Sequence, residues 1–354
     1  MSNVVNKFLG RDSGIETLRI LSILGILVVH SDFFALGAPD TETCRIAPLA
    51  SFWRYFIESV TIVSVDIFVL ISGWFRIHPK RERLMEFLFQ ILFFNVMFFL
   101  AFAILFPEST ITKAGIESLF MLDKRFWFVK AYLLLYFLSP VLNSFSDLPR
   151  NKQSLILVGF FLFQTIYGWY YPAVVWFNEG YSATSFVGLY FLAQYLRHSY
   201  EMNILGGAFL RSKIILIAIF AAFVLVNSFA AFGYCYTGRV EPAPLYAYNS
   251  PFVILAAVSV FLVFAQIHFT NKWINYIAIS SFAAFLLHAN HFFVDGIFVP
   301  WIRRWFDSDT LWMFSIKTSL FISVLYFVAI AIDKVRIFVW EKLWYNCIAR
   351  KSKS

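Results

Sequence analysis

The chain has 354 residues, of which 60% are hydrophobic and only 14% charged, with 45 Phe, 17 Tyr and a mean hydropathy of +0.72. Soluble domains carry roughly 25% charged residues, so these figures exclude a water-soluble fold and point to a polytopic membrane protein. The formal net charge of +8 is no nucleic-acid signal, because Lys and Arg sit in short loops between apolar runs, as they do at a cytoplasmic membrane face.

About 20 apolar residues cross a bilayer. On that measure the sequence predicts an all-α, polytopic integral membrane domain over residues 1–354. It has about ten transmembrane helices, near 17–37, 53–75, 84–106, 126–146, 154–172, 183–199, 213–233, 250–269, 274–298 and 311–333. The stretch 109–122 is too short to span and reads as re-entrant or interfacial. The span 274–298 is unusual in holding two histidines and an aspartate. The longest outer loops fall at 234–249 and 299–310, both too short to fold alone.

Placing both termini in the cytoplasm puts 19 of the 29 Lys and Arg in inner segments, with at least one in each. These segments hold Lys7, Arg11 and Arg19; Arg76, Lys80, Arg81 and Arg83; Arg150 and Lys152; Arg197, Arg211 and Lys213; Lys272; and six from Lys334 to Lys353. No internal repeat or appended soluble domain is read, and the first apolar run has no cleavage-site pattern behind it. Cys44, Cys235 and Cys347 lie far apart with no CxxC spacing, which argues against a metal site or a disulfide framework.

Ionisable groups inside a bilayer are functional candidates because insertion costs about 2.5–3.5 kcal/mol each. The first span, RILSILGILVVHSDFF, carries Arg19 and His30. Eleven residues return the helix to nearly the same face, about 16 Å further along the axis. This places a cation at the inner mouth and a base deeper in. The alternative is a snorkelling arginine and a histidine bonded to a neighbouring helix. The second span, ESVTIVSVDIFVLISGWF, runs back with Glu58 near its outer end and Asp66 near its middle. Glu58 falls within roughly one turn of the depth of His30 and is a candidate to orient the imidazole. Asp66 competes for that role, and a purely structural contact is the alternative for both.

Arg76, Lys80, Arg81 and Arg83 follow in RIHPKRER. Such a cluster sets topology and touches lipid headgroups, and its guanidinium forks also suit phosphates. SSFAAFLLHANHFF places His288 and His291 three apart in a late span. With no third ligand nearby, packing or substrate contact is favoured over metal binding. Glu179 and Asp295 are further acidic groups without an assigned partner.

Several stretches together resemble the membrane-bound acyltransferase-3 family, which includes bacterial O-acetyltransferases of surface polysaccharides. They are IETLRILSILGILVVH, SVDIFVLISGWF, FWFVKAYLLLYFLSPVLN, GYSATSFVGLYFLAQYLR, SSFAAFLLH and IDKVR, in order along the chain. The resemblance implies acyl transfer from cytoplasmic acyl-CoA, with acetyl-CoA as donor, to a hydroxyl of an envelope glycan or lipid-linked sugar. It implies a multi-pass protein of the bacterial inner membrane, in contact with membrane lipids and with no nucleic-acid partner. His30 then maps onto the family's catalytic histidine and Arg19 onto its paired arginine. Arg81 and Arg83 fall on its basic motif as donor contacts, and Trp127 and His288 are candidate substrate contacts. The late motif departs in reading AAFLLH where a Tyr often precedes the His.

The residues suit that chemistry. A thioester is already reactive, so the reaction needs a base for the hydroxyl and a water-free site. CoA is strongly anionic and is matched by arginines facing its compartment. A succinyl or other acyl donor, a relay through an acyl-histidine, and a lipid-linked-sugar flippase all remain open on sequence. The flippase would favour inverted repeats that are not seen.

Overall fold

The computed structural model describes residues 11–122, 126–202, 211–238 and 243–351, with backbone alone for 345–351. Lys7, Arg239, Lys353 and Ser354 lie outside the described residues, as do the side chains of Cys347, Arg350 and Lys351. The fold is 84% helical, with no strand among the described residues. Its principal helices are α1 (Ser13–Val29), α2 (Thr41–Ile46), α3 (Pro48–Thr61), α4 (Ser64–Phe75), α5 (Arg81–Leu105), α6 (Trp127–Asn143) and α7 (Arg150–Phe163). They continue as α8 (Ala183–Met202), α9 (Lys213–Thr237), α10 (Pro251–Ala265), α11 (Lys272–Ala278), α12 (Ser281–His288), α13 (Val299–Ser308) and α14 (Leu311–Lys351).

Seven described stretches are long and apolar enough to cross a bilayer: Ser13–Phe34, Pro48–Phe75, Arg81–Leu105, Trp127–Asp147, Lys213–Thr237, Ala243–Ala265 and Leu311–Trp344. Lys272–His288 and His291–Ser308 form a further candidate, bent by 62° at its break. α7 and α8 stand where spans are expected at 154–172 and 183–199 but are less apolar. The stretch 109–122 holds only the short helix Lys113–Leu119 and the end of Pro107–Thr110. The outer loop expected at 299–310 is instead mostly α13, an amphipathic helix that buries Ile302 and exposes Trp301.

Chain contacts divide the protein into two compact units. The first comprises Met1–Pro79 and Trp127–Asn275. Within it α1 packs on α3 and α4, α8 lies along α4, and α9 packs on α3 and α10. Gly25 sets the approach of α1, since a Cβ there would fall 2.2 Å from Ser64 Oγ. The lipid-facing side is apolar: Ile214, Val226 and Phe229 of α9 are well exposed, as hydrocarbon solvent allows.

The second unit comprises Lys80–Phe126 and Tyr276–Ser354. There α14 packs on α12 and α5. Its buried polar knot is Asp333, which accepts from Gln90 Nε2 at 2.9 Å and from Arg336 Nη2 at 2.8 Å. Arg336 also reaches Glu86 at 3.5 Å. The IDKVR stretch thus ties α14 to α5 through a desolvated ion pair made at Asp333 Oδ1, while Oδ2 has no partner among the described residues.

Candidate functional site

The first span begins with Asp12, whose carboxylate accepts from Gly14 N at 3.0 Å as the N-cap of α1. Glu16 in the first turn is buried and accepts from Arg11 Nε at 3.0 Å and Arg19 Nη1 at 3.2 Å. Arg19 is therefore a partly neutralised cation, with its side chain 28% exposed. The sequence reading missed Glu16. Its spacing of three residues before Arg19 is the signal that would have shown the pair.

At the other end α1 does not stop at Val29 but widens into a π-helical turn, His30–Phe34. Such turns cost backbone hydrogen-bond geometry and recur at functional sites. His30 opens this turn, half-buried, with its ring 5.1 Å from that of Phe34. Two residues on, Asp32 is buried and pairs with Arg54 of α3, Nε to Oδ1 at 2.5 Å. Arg54 also donates through Nη2 to the carbonyl of Gly37. Neither Asp32 nor Arg54 was anticipated, although Arg54 lies one helical turn before Glu58, a spacing that pairs opposite charges.

The second predicted span is not one helix. α3 ends at Thr61, Ile62 and Val63 form a turn, and α4 starts at Ser64. Glu58 occupies the last turn of α3 and Asp66 the first turn of α4. The two carboxylates thus flank a break in mid-span. Both are almost fully buried, at 2% and 1% exposure. Asp66 has no hydrogen-bond partner for either oxygen among the described residues, and Glu58 Oε2 has none. Asp32 and Arg54 are the charges that bear on Glu58. The register follows from two contacts, Gly25 against Ser64 and Asp32 against Arg54. Counting residues from them sets Glu58 within about one turn of the level of His30, as the depth argument expects.

Trp127 opens α6, stacks on Tyr248 (6.0 Å between ring centroids) and meets Tyr181 edge-on (4.6 Å). Tyr181 and Tyr248 are 4.9 Å apart. Gly180, at φ 95°, makes this contact possible, since a Cβ would sit 2.5 Å from that of Tyr248. Tyr248 feels the charges of both Glu58 and Asp66, and Tyr181 that of Glu58. An aromatic wall therefore borders the buried carboxylates. Behind it Ser59, Asn227, Ser228 and Tyr246 form a closed polar network centred on Ser59 Oγ, which receives Asn227 Nδ2 at 3.2 Å and Ser228 Oγ at 3.1 Å. This network satisfies buried polar groups at the α3–α9 contact.

The structure thus gathers Arg19, His30, Glu58, Asp66 and Trp127 in the first unit, while Arg81, Arg83 and His288 belong to the second. Arg81 and Arg83 are exposed in the first turn of α5. His288 is fully buried between Phe285 and Phe298, and its Nδ1 donates to the carbonyl of Ala284 at 2.9 Å. That bond leaves Nε2 as the acceptor nitrogen. His291 instead faces Asp295, with Nδ1 to Oδ2 at 3.2 Å. Among the described residues no three His, Cys, Asp or Glu converge as a metal site would require. Although far apart in sequence, Cys44 and Cys235 are free thiols whose sulfurs lie 2.9 Å apart.

Fold and site together define a multi-pass membrane protein with a half-buried histidine, a buried glutamate within about one turn of its level and a second buried carboxylate further along the same span. A family model described as "Acyltransferase domain" matches residues 12–332, and the chain belongs to this acyltransferase-3 family. It is a membrane acyltransferase. No curated protein and no solved structure matches the chain.

Proposed function

We propose that the protein is an O-acyltransferase of the bacterial plasma membrane, moving an acetyl group from cytoplasmic acetyl-CoA to a hydroxyl of an envelope glycan or lipid-linked sugar. Both termini face the cytoplasm in this reading, so Arg19 stands at the mouth where the anionic donor arrives. The observation that carries the proposal is His30, at the head of a π-helical turn and level with buried Glu58, inside the matched acyltransferase region.

His30 takes the proton from the acceptor hydroxyl as its oxygen attacks the thioester carbonyl. The C–S bond then breaks, and the departing CoA thiolate recovers the proton from the imidazolium. Glu58, near the level of His30, is assigned to orient the imidazole and favour the transient imidazolium, while the Asp32–Arg54 pair fixes the turn that carries His30. Arg19 is assigned to hold donor phosphates through charge-assisted bonds, and the exposed Arg81 and Arg83 of the second unit are assigned separately to donor contact. Trp127, Tyr181 and Tyr248 offer flat aromatic faces with few polar groups, a lining suited to a sugar ring. His288 is assigned to substrate contact.

The test is release of free thiol by purified protein given acetyl-CoA or succinyl-CoA with an envelope-glycan acceptor. The proposal expects acetyl-CoA turnover that depends on acceptor. Preference for succinyl-CoA would change the donor, and no acceptor-dependent thiol release from either would remove the function.

A further inference from the structure

Cys44 and Cys235 are separated by 191 residues, yet their sulfurs lie 2.9 Å apart. That is about 0.9 Å beyond a disulfide bond length of about 2.05 Å. Both are buried, at 0% and 4% exposure. Cys44 sits in α2, a six-residue helix capped by Asp40, whose carboxylate accepts from Thr43 N at 2.8 Å. Cys235 sits in the last turn of α9, which Gly238 closes in the left-handed conformation. A second tie joins the same two elements, from Arg45 Nε to the Tyr236 carbonyl at 3.1 Å. The pair also borders the site: Cys235 Sγ and Tyr55 Oη both donate to the Pro39 carbonyl, at 3.1 and 2.8 Å. Two residues earlier in the chain, the Gly37 carbonyl receives Arg54.

The proposed topology puts the end of the first span and the end of α9 on the outer side of the membrane, and the inference rests on that reading. Outer compartments are oxidising and sustain disulfides. We propose that Cys44 and Cys235 are joined by a disulfide, which fastens the 35–47 segment to α9 and so holds the backbone carbonyls that seat Tyr55 and Arg54. In this step each thiol gives up its hydrogen and one S–S bond forms. A disulfide-bearing oxidant of the outer compartment accepts the two electrons and two protons and leaves as a dithiol, through a mixed-disulfide intermediate. Burial pushes the Cys44 thiol up to about 12.

The experiment uses full-length protein from membranes quenched with N-ethylmaleimide, denatured, and alkylated again with and without reductant. The chain holds three cysteines. Intact mass is expected to show one alkylated cysteine, Cys347, without reductant and three with it. A cross-linked peptide pair should contain Cys44 and Cys235. Cys44→Ser should raise the unreduced number to two. Three alkylated cysteines without reductant, or a cross-link that includes Cys347, would overturn the proposal. A reporter inserted between Gly37 and Thr41 separates this from the topology itself. An external reporter with three free thiols sinks the disulfide alone, whereas a cytoplasmic reporter sinks the topology whatever the thiols show.

Discussion

Arg54 is the residue whose loss should be felt most sharply in both stability and turnover. It is 5% exposed and bonds to Asp32 Oδ1 and to the Gly37 carbonyl. Replacing it with Met leaves the buried Asp32 carboxylate uncompensated, and Asp32→Leu does the same to the guanidinium. Breaking a buried pair from one side costs about 3–5 kcal/mol, whereas replacing both partners with apolar groups is often neutral. The single variants should therefore each lose about 3–5 kcal/mol, and the double variant less than either single, so that the coupling energy exceeds about 3–5 kcal/mol. The assay is reversible unfolding in detergent micelles followed by tryptophan fluorescence. Turnover separates packing from function: the double variant should regain stability yet stay slow, because the polar pair that fixes the His30–Phe34 turn against α3 is gone. Additive single effects of under about 1 kcal/mol would refute the buried pair. A stable double variant with wild-type turnover would refute its role at the site.

Arg19→Ala, and Arg81→Ala combined with Arg83→Ala, should raise the donor KM while the protein still inserts; unchanged KM in both variants would leave these arginines as topology signals. Glu58→Gln should lower turnover about tenfold or more, and Asp66→Asn should act chiefly on unfolding in detergent; the reverse pattern would transfer the role to Asp66. Gly25→Ala sets a methyl against Ser64 Oγ and should destabilise by about 1–3 kcal/mol. Ser64→Ala should recover part of that loss, and failure of the rescue would show that α1 does not pack on α4 through this contact.

Most of the helical layout was legible because hydropathy over about 20 residues is a strong signal. Ser13–Phe34 and Lys213–Thr237 fall within a few residues of the spans expected at 17–37 and 213–233. The break at Ile62–Val63 was not legible, because no Pro or Gly marks it and the flanking residues are as apolar as a continuous helix needs. The bend after His288 had a sign in Asn290, which caps the next turn through Phe292 N at 3.1 Å. α13 was read as loop since span counting treats any short polar stretch as connection, although Ile302 between Trp301 and Trp305 already fits one buried face.

The site was half legible. His30, Glu58 and Asp66 stood out because ionisable groups in apolar runs are conspicuous. Asp32 and Arg54 were passed over because each lies near a predicted span end, where charge is ordinary. Tyr181 and Tyr248 were invisible among 17 tyrosines, since only the fold brings residues so distant in sequence against Trp127. The closeness of Cys44 and Cys235 was hidden for the same reason.

The central claim is that His30 performs the chemistry. His30→Ala, His288→Ala and the parent protein should be compared in single-turnover acyl transfer to the acceptor, each after its insertion and folding are verified. Losing a general base costs about 10²–10⁴ in rate, so His30→Ala should fall by that factor with donor binding retained, while His288→Ala falls far less. Near-parental transfer by His30→Ala, with transfer abolished in His288→Ala, would contradict the account and place the reaction at the late helix.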